Sequence, residues 1–142
     1  MSRIAVVDND RSLLALLEEL FTDEGWEVVA HAEGRGAFDL LKREQPDIVL
    51  LDLWLETPVS GWKVLQELRI DPATRAIPVV LLSGAPEDLK GKQPWLNDHG
   101  IPIVAKPFDI DDLYRTVSHA LGEDTAREPA SPSRSRRPIV EQ

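Results

Sequence analysis

Ile48-Val49-Leu50-Leu51-Asp52-Leu53 is an apolar run that ends in a single carboxylate. Gln45-Pro46 precedes it and Glu56-Thr57-Pro58 follows, so the run is short and bounded by turn signals. Its lack of alternation predicts a central strand buried on both faces. In an open parallel sheet, ligands bind in the crevice beyond the carboxyl ends of the strands, which makes Asp52 the first candidate for chemistry.

Upstream, Ile4-Ala5-Val6-Val7 is a second apolar run that meets acid, at Asp8-Asn9-Asp10. Leu13, Leu14, Leu16, Leu17, Leu20 and Phe21 then recur at helical spacing, and Gly25 is placed to stop that helix. Glu27 to His31 predicts a weaker strand, with His31 a strand residue of no catalytic role. A helix through Ala37, Phe38, Leu40 and Leu41 follows, and Pro46 ends it.

Downstream, Leu53 to Ser60 reads as a polar loop, and Gly61 leads into a helix carrying Val64, Leu65 and Leu68. Val79-Val80-Leu81-Leu82 is another strand, ending at Ser83-Gly84. Ala85 to Gly100 predicts one broken helix, interrupted by Gly91 and Pro94, with Trp95 packed inward. Ile101 to Ala105 is the last strand, closed by Lys106-Pro107-Phe108, and Asp109 is placed to cap a final helix through Leu113, Val117 and Leu121. This alternation predicts an α/β protein: a doubly wound parallel sheet with helices on both faces.

The 142 residues, 42% of them hydrophobic, suit one domain over 1–121. From 122 to 142 the pattern dissolves into Pro, Ser, Arg and acid, which predicts a disordered polar tail even around Arg134-Ser135-Arg136-Arg137. A net charge of -9 argues against a nucleic-acid or membrane-surface partner. With no cysteine, disulfides, thiol nucleophiles and thiolate zinc sites are excluded. The N-terminus reads as neither signal peptide nor spanning helix, so a cytoplasmic protein is expected.

Four strands thus deliver Asp8 and its neighbours, Asp52, Ser83 and Lys106 at their carboxyl ends, and parallel strands bring those ends to one edge. Two carboxylates about 4 Å apart repel by roughly 4 kcal/mol at an effective dielectric of 20, so the cluster needs a cation. Oxygen donors without Cys or His favour magnesium. A carboxylate beside magnesium, a hydroxyl and a lysine is apparatus for accepting a phosphoryl group. Asp52 would be the acceptor, Lys106 would neutralise phosphoryl oxygens, and Ser83 would hydrogen-bond one of them.

Through Val6-Val7-Asp8, Leu50-Leu51-Asp52, Leu81-Leu82-Ser83-Gly84 and Lys106-Pro107-Phe108, the chain resembles the receiver domain of two-component response regulators over about residues 3 to 121. The resemblance implies a five-stranded, flavodoxin-like receiver fold with five helices and a cis Lys106-Pro107 bond. It implies phosphorylation of Asp52 by a histidine kinase or phosphotransfer protein. It further implies a magnesium site formed by Asp8, Asp52 and the Trp54 backbone carbonyl. Such a domain is a signalling switch, not an enzyme in the ordinary sense.

Three departures shape the expectations. Asn9 stands where the family usually has a second acid, which predicts weakened magnesium binding unless Asn9 itself or Asp10 supplies an oxygen. Gly61 lies one residue farther along than the family pattern, which predicts a reshaped loop. Ile103 replaces an aromatic often used to couple phosphorylation to output. The leading expectation is a stand-alone receiver that signals to a downstream protein, with a homodimer possible. Its output surface would involve Ala85 to Gly100, the strand of Ile103 and the last helix. The alternatives are a degenerate receiver acting as a docking module and a small phosphatase of the haloacid dehalogenase type. In the phosphatase reading, Asp8 and Asp10 of Asp8-Asn9-Asp10 are nucleophile and acid-base, and Asp52 is idle.

Overall fold

In the computed structural model, the described residues are 2–57, 60–85, 89 and 91–122. Five parallel strands form one sheet: β1 (Arg3–Val7), β2 (Glu27–His31), β3 (Ile48–Asp52), β4 (Val79–Ser83) and β5 (Ile103–Ala105). Their order is β2-β1-β3-β4-β5. The order reverses direction at β1 and β3, which places the crevice of a doubly wound sheet beyond the ends of those two strands. Every residue of β3 and of β4 is buried, as their unbroken apolar runs require.

Successive side chains of each strand enter opposite layers. Ile4, Val6, Ile48, Leu50, Val80 and Leu82 pack with Leu14, Leu17 and Phe21 of α1 (Arg11–Asp23) and Leu113 and Val117 of α5 (Ile110–Ala120). Ala5, Val7, Val49, Leu51, Val79 and Leu81 pack with Ala37 and Leu41 of α2 (Ala37–Glu44), Val64, Leu65 and Leu68 of α3 (Ser60–Ile70) and Leu96 of α4 (Gln93–Asp98). The expected doubly wound architecture, with helices on both faces, is the observed one.

Asp10 and Asp109 cap α1 and α5, accepting from the amides of Leu13 and Asp111. The segment 85–100 departs from expectation. Pro94 does not interrupt a helix but lies in the first turn of α4, where the missing amide proton has no intrahelical acceptor to lose. What precedes Gln93 is short 3₁₀ structure at the described residues 89, 91 and 92. Trp95 is half-buried, edge-on to Trp62 at 5.2 Å and stacked on His99 at 3.9 Å, so its inward packing is partial. The last strand begins at Ile103 and not Ile101. The expected tail beyond 122 lies outside the described residues.

Candidate functional site

The register brings the polar strand ends together. Val7 pairs with Leu51, so Asp8 follows β1 beside Asp52; Ser83 pairs with Ala105, so Lys106 emerges beside the end of β4. Asp8 is fully buried and Asp52 is 4% exposed, which is unusual for carboxylates and demands a compensating cation. Lys106 supplies one: its Nζ donates to Asp8 Oδ2 at 2.7 Å and to Asp52 Oδ2 at 3.3 Å. The other oxygens are held by backbone, Asp8 Oδ1 by the Asp10 amide at 2.9 Å and Asp52 Oδ1 by the Trp54 amide at 3.1 Å.

Burial and the Asp8 charge push the Asp52 carboxyl up to about 6, against the lowering pull of Lys106 and the Trp54 amide. Burial acts to lower Lys106, yet the Asp8 hydrogen bond and the two carboxylate charges leave its ammonium held above the usual lysine range. At neutral pH the site is therefore one ammonium facing an Asp52 carboxylate that is ionised but basic for its type.

Ser83 lies at the same edge, 6% exposed. Its hydroxyl accepts from the Ala85 amide at 3.1 Å, and its carbonyl accepts from the Lys106 amide at 2.8 Å. The Lys106-Pro107 peptide is cis. Asp8, Asp52 and Lys106 thus meet directly, while Ser83 flanks them. Asp10 does not join them, because its carboxylate is engaged at the head of α1.

Asn9 turns away too: its Nδ2 donates to the Leu55 carbonyl at 2.9 Å, tying the first loop to the loop after β3. Trp54 presents its backbone amide to Asp52 while its indole is 56% exposed. Gly61 returns the chain to the end of β3, its amide donating to the Leu53 carbonyl at 3.0 Å. A Cβ there would overlap the Asp52 carbonyl oxygen and stand 2.5 Å from Leu53 Cα, so only glycine fits. Sequence reasoning missed Glu56, whose carboxylate accepts from the amides of Gly34 at 2.7 Å and Arg35 at 3.1 Å. No signal marked it, since a lone loop glutamate has no pattern.

The donor set suits a hard divalent cation: two buried carboxylates, whose oxygens are hard donors, already converge on one positive charge. Among the described residues no group of three His, Cys, Asp or Glu gathers, so a bound ion would keep several waters. Also among the described residues, no helix is long and apolar enough to cross a membrane.

Comparison with known proteins bears on this arrangement. Residues 4–118 match the family model of the response regulator receiver domain. The response regulator PleD of Caulobacter vibrioides is 36% identical over 119 residues, and the chain spans 25% of that relative's length. Sporulation initiation phosphotransferase F of Bacillus subtilis is 32% identical over 120 residues, covering 84% of this chain and 93% of that protein. The receiver domain of the sensor histidine kinase PA1611 from Pseudomonas aeruginosa, solved with magnesium coordinated in its active-site cleft, superposes with a TM-score of 0.72 at 24% identity, over 85% of this chain and 98% of that one. The buried acid pair bridged by a lysine at the switch point of a five-stranded parallel sheet is thus found in a chain that belongs to the response regulator receiver family.

Proposed function

We propose that this chain is a phosphoacceptor switch, in which Asp52 takes a phosphoryl group from a histidine kinase or phosphotransfer protein and the modified domain changes its affinity for a downstream protein. The observation that carries the reading is the Lys106 ammonium shared between two buried carboxylates, Asp8 and Asp52. A side chain so placed can follow negative charge from Asp52 to an incoming phosphoryl group without leaving the site.

In the reaction, an Asp52 carboxylate oxygen attacks phosphorus, an acyl phosphate O–P bond forms, and the P–N bond to the donor imidazole breaks. Asp52, lifted only to about 6, is still mostly ionised at neutral pH and so available as nucleophile. Lys106 then donates to a phosphoryl oxygen, and the Ser83 hydroxyl rotates from the Ala85 amide to donate to another. Asp8, Asp52 and the Trp54 carbonyl would hold magnesium, which supplies further positive charge to the phosphoryl oxygens when bound. Because Asn9 is neutral and engaged with Leu55, that ion is held more weakly than where a second acid is present.

The same Asn9 contact favours the second reading, a docking module that works without phosphorylation. Intact mass after incubation with acetyl phosphate, with and without magnesium, separates the two. A magnesium-dependent phosphoryl adduct on the native chain that is lost in Asp52→Asn supports the switch. Absence of any adduct with acetyl phosphate and with a phosphorylated histidine donor supports the docking module.

A further inference from the structure

Trp54 follows the candidate acceptor by two residues, and its indole makes no anchor, being more than half exposed. Its backbone is held by its own amide, which donates to Asp52 Oδ1 at 3.1 Å, and beyond that by its neighbours. On one side, the Leu53 amide donates to the Leu82 carbonyl at 3.2 Å, continuing the β3–β4 ladder. On the other, the Leu55 side chain is 1% exposed, and its carbonyl is held by Asn9. Beyond it, Glu56 grips the connection between β2 and α2 with both carboxylate oxygens, each on a different backbone amide.

The other half of the clamp is equally specific. A Cβ at Gly34 would lie 2.8 Å from Glu56 Oε1, 3.3 Å from Ser60 Cβ and 3.4 Å from Leu55 Cδ1. The bare glycine backbone is what lets the carboxylate come close. The loop that Glu56 reaches is itself braced, since His31 Nε2 and the Arg35 carbonyl share a hydrogen bond of 2.8 Å. The loop after β3 is thus pinned at Leu53, Leu55 and Glu56 as well as at the Trp54 amide.

We infer that Glu56 is a positioning residue for the acceptor loop: by clamping the Gly34 and Arg35 amides it fixes the backbone that presents the Trp54 carbonyl to a divalent cation. The inference rests on the magnesium site of the proposed switch. It assigns the Glu56–Gly34 pair to cation affinity rather than to the phosphoryl transfer step, because neither residue touches Asp52, Ser83 or Lys106.

The test titrates magnesium chloride into the full chain, native and carrying Glu56→Gln, Glu56→Ala or Gly34→Ala, and follows tryptophan fluorescence. Phosphorylation by acetyl phosphate is measured separately at saturating magnesium, and thermal midpoints are recorded. The magnesium dissociation constant is expected to rise about threefold in Glu56→Gln, which keeps one acceptor oxygen, and about tenfold in Glu56→Ala and Gly34→Ala. Combining Glu56→Ala with Gly34→Ala should weaken binding no further, because both break one clamp. The saturating rate should stay within about twofold of native, as expected of a group outside the transfer step. A lower thermal midpoint with unchanged magnesium affinity would show a merely structural loop contact and overturn the inference. So would additive effects in the double variant, or a native chain that binds no magnesium. Native magnesium binding without any Asp52 adduct would instead defeat the switch reading while leaving the clamp assignment standing.

Discussion

The Asn9 side-chain amide donates to the Leu55 carbonyl, joining the loop after β1 to the loop after the acceptor strand across 46 residues of sequence. Replacing it by Asp therefore does two opposed things. A third acid beside Asp8 and Asp52 should tighten magnesium binding about tenfold, while the lost donor faces a carbonyl with a carboxylate. The metal-free Asn9→Asp protein should lose about 1 kcal/mol, roughly 3–5 °C in thermal midpoint, and recover it when magnesium is added. Calorimetric titration and paired melting curves check both arms; unchanged affinity would show that the acid missing at Asn9 does not limit metal binding.

Asp52→Asn should abolish the phosphoryl adduct and stabilise the metal-free fold. Burial and Asp8 raise the Asp52 carboxyl to about 6, so its folded-state proton affinity exceeds that of the unfolded chain and its ionised form opposes folding. The native protein gains stability relative to the variant as pH falls through about 6 toward 4. The variant's advantage, about 1–2 kcal/mol at pH 7.5, should accordingly shrink across that window. Denaturant titrations at pH 7.5, 6 and 4.5 would show it, and an advantage that grew toward pH 4.5 would refute the sign.

Gly61→Ala should be among the most harmful single-methyl additions in the domain. The new Cβ meets the backbone of the Asp52–Leu53 peptide, at the Asp52 carbonyl oxygen and Leu53 Cα, and backbone in a buried strand end has little room to yield. A loss of about 3 kcal/mol is expected, measured by urea unfolding. An alanine at Gly91, where a Cβ would have nothing within 4 Å, provides the control.

Lys106→Met leaves two buried carboxylates facing each other. Removing one partner of a buried charge cluster costs about 3–4 kcal/mol at pH 8, more than removal of an exposed lysine. The deficit should narrow toward pH 5, where one carboxyl takes up a proton, and narrow again on adding magnesium at pH 8. Equal destabilisation at both pH values would mean that charge repulsion is not the cause.

The layers of this fold were legible because they are written in local runs. The unbroken β3 and β4 sequences, the periodic leucines of α1 and the Asp109 cap each carry their own signal, and the parallel topology then forces Asp8, Asp52 and Lys106 to one edge. Pro94 was misread because a proline within a helical pattern reads equally as an interruption or as a first-turn residue; the start of α4 at Gln93 decides between them. The engagements of Asn9 with Leu55 and of Glu56 with Gly34 were invisible for a different reason. Each joins two loops far apart in sequence, and which loop residues meet depends on how the strands beneath them are already placed.

The Lys106–Asp8 bridge spans 98 residues of chain. Its parts come from the residue after the first strand and from the turn after the last, with Asp52 supplied from the middle, so no fragment lacking either end can assemble it. Chemical competence therefore reports on completed folding. A nascent, clipped or partly unravelled molecule would present Asp52 without its counter-charge and, on the proposed switch reading, take up little phosphate.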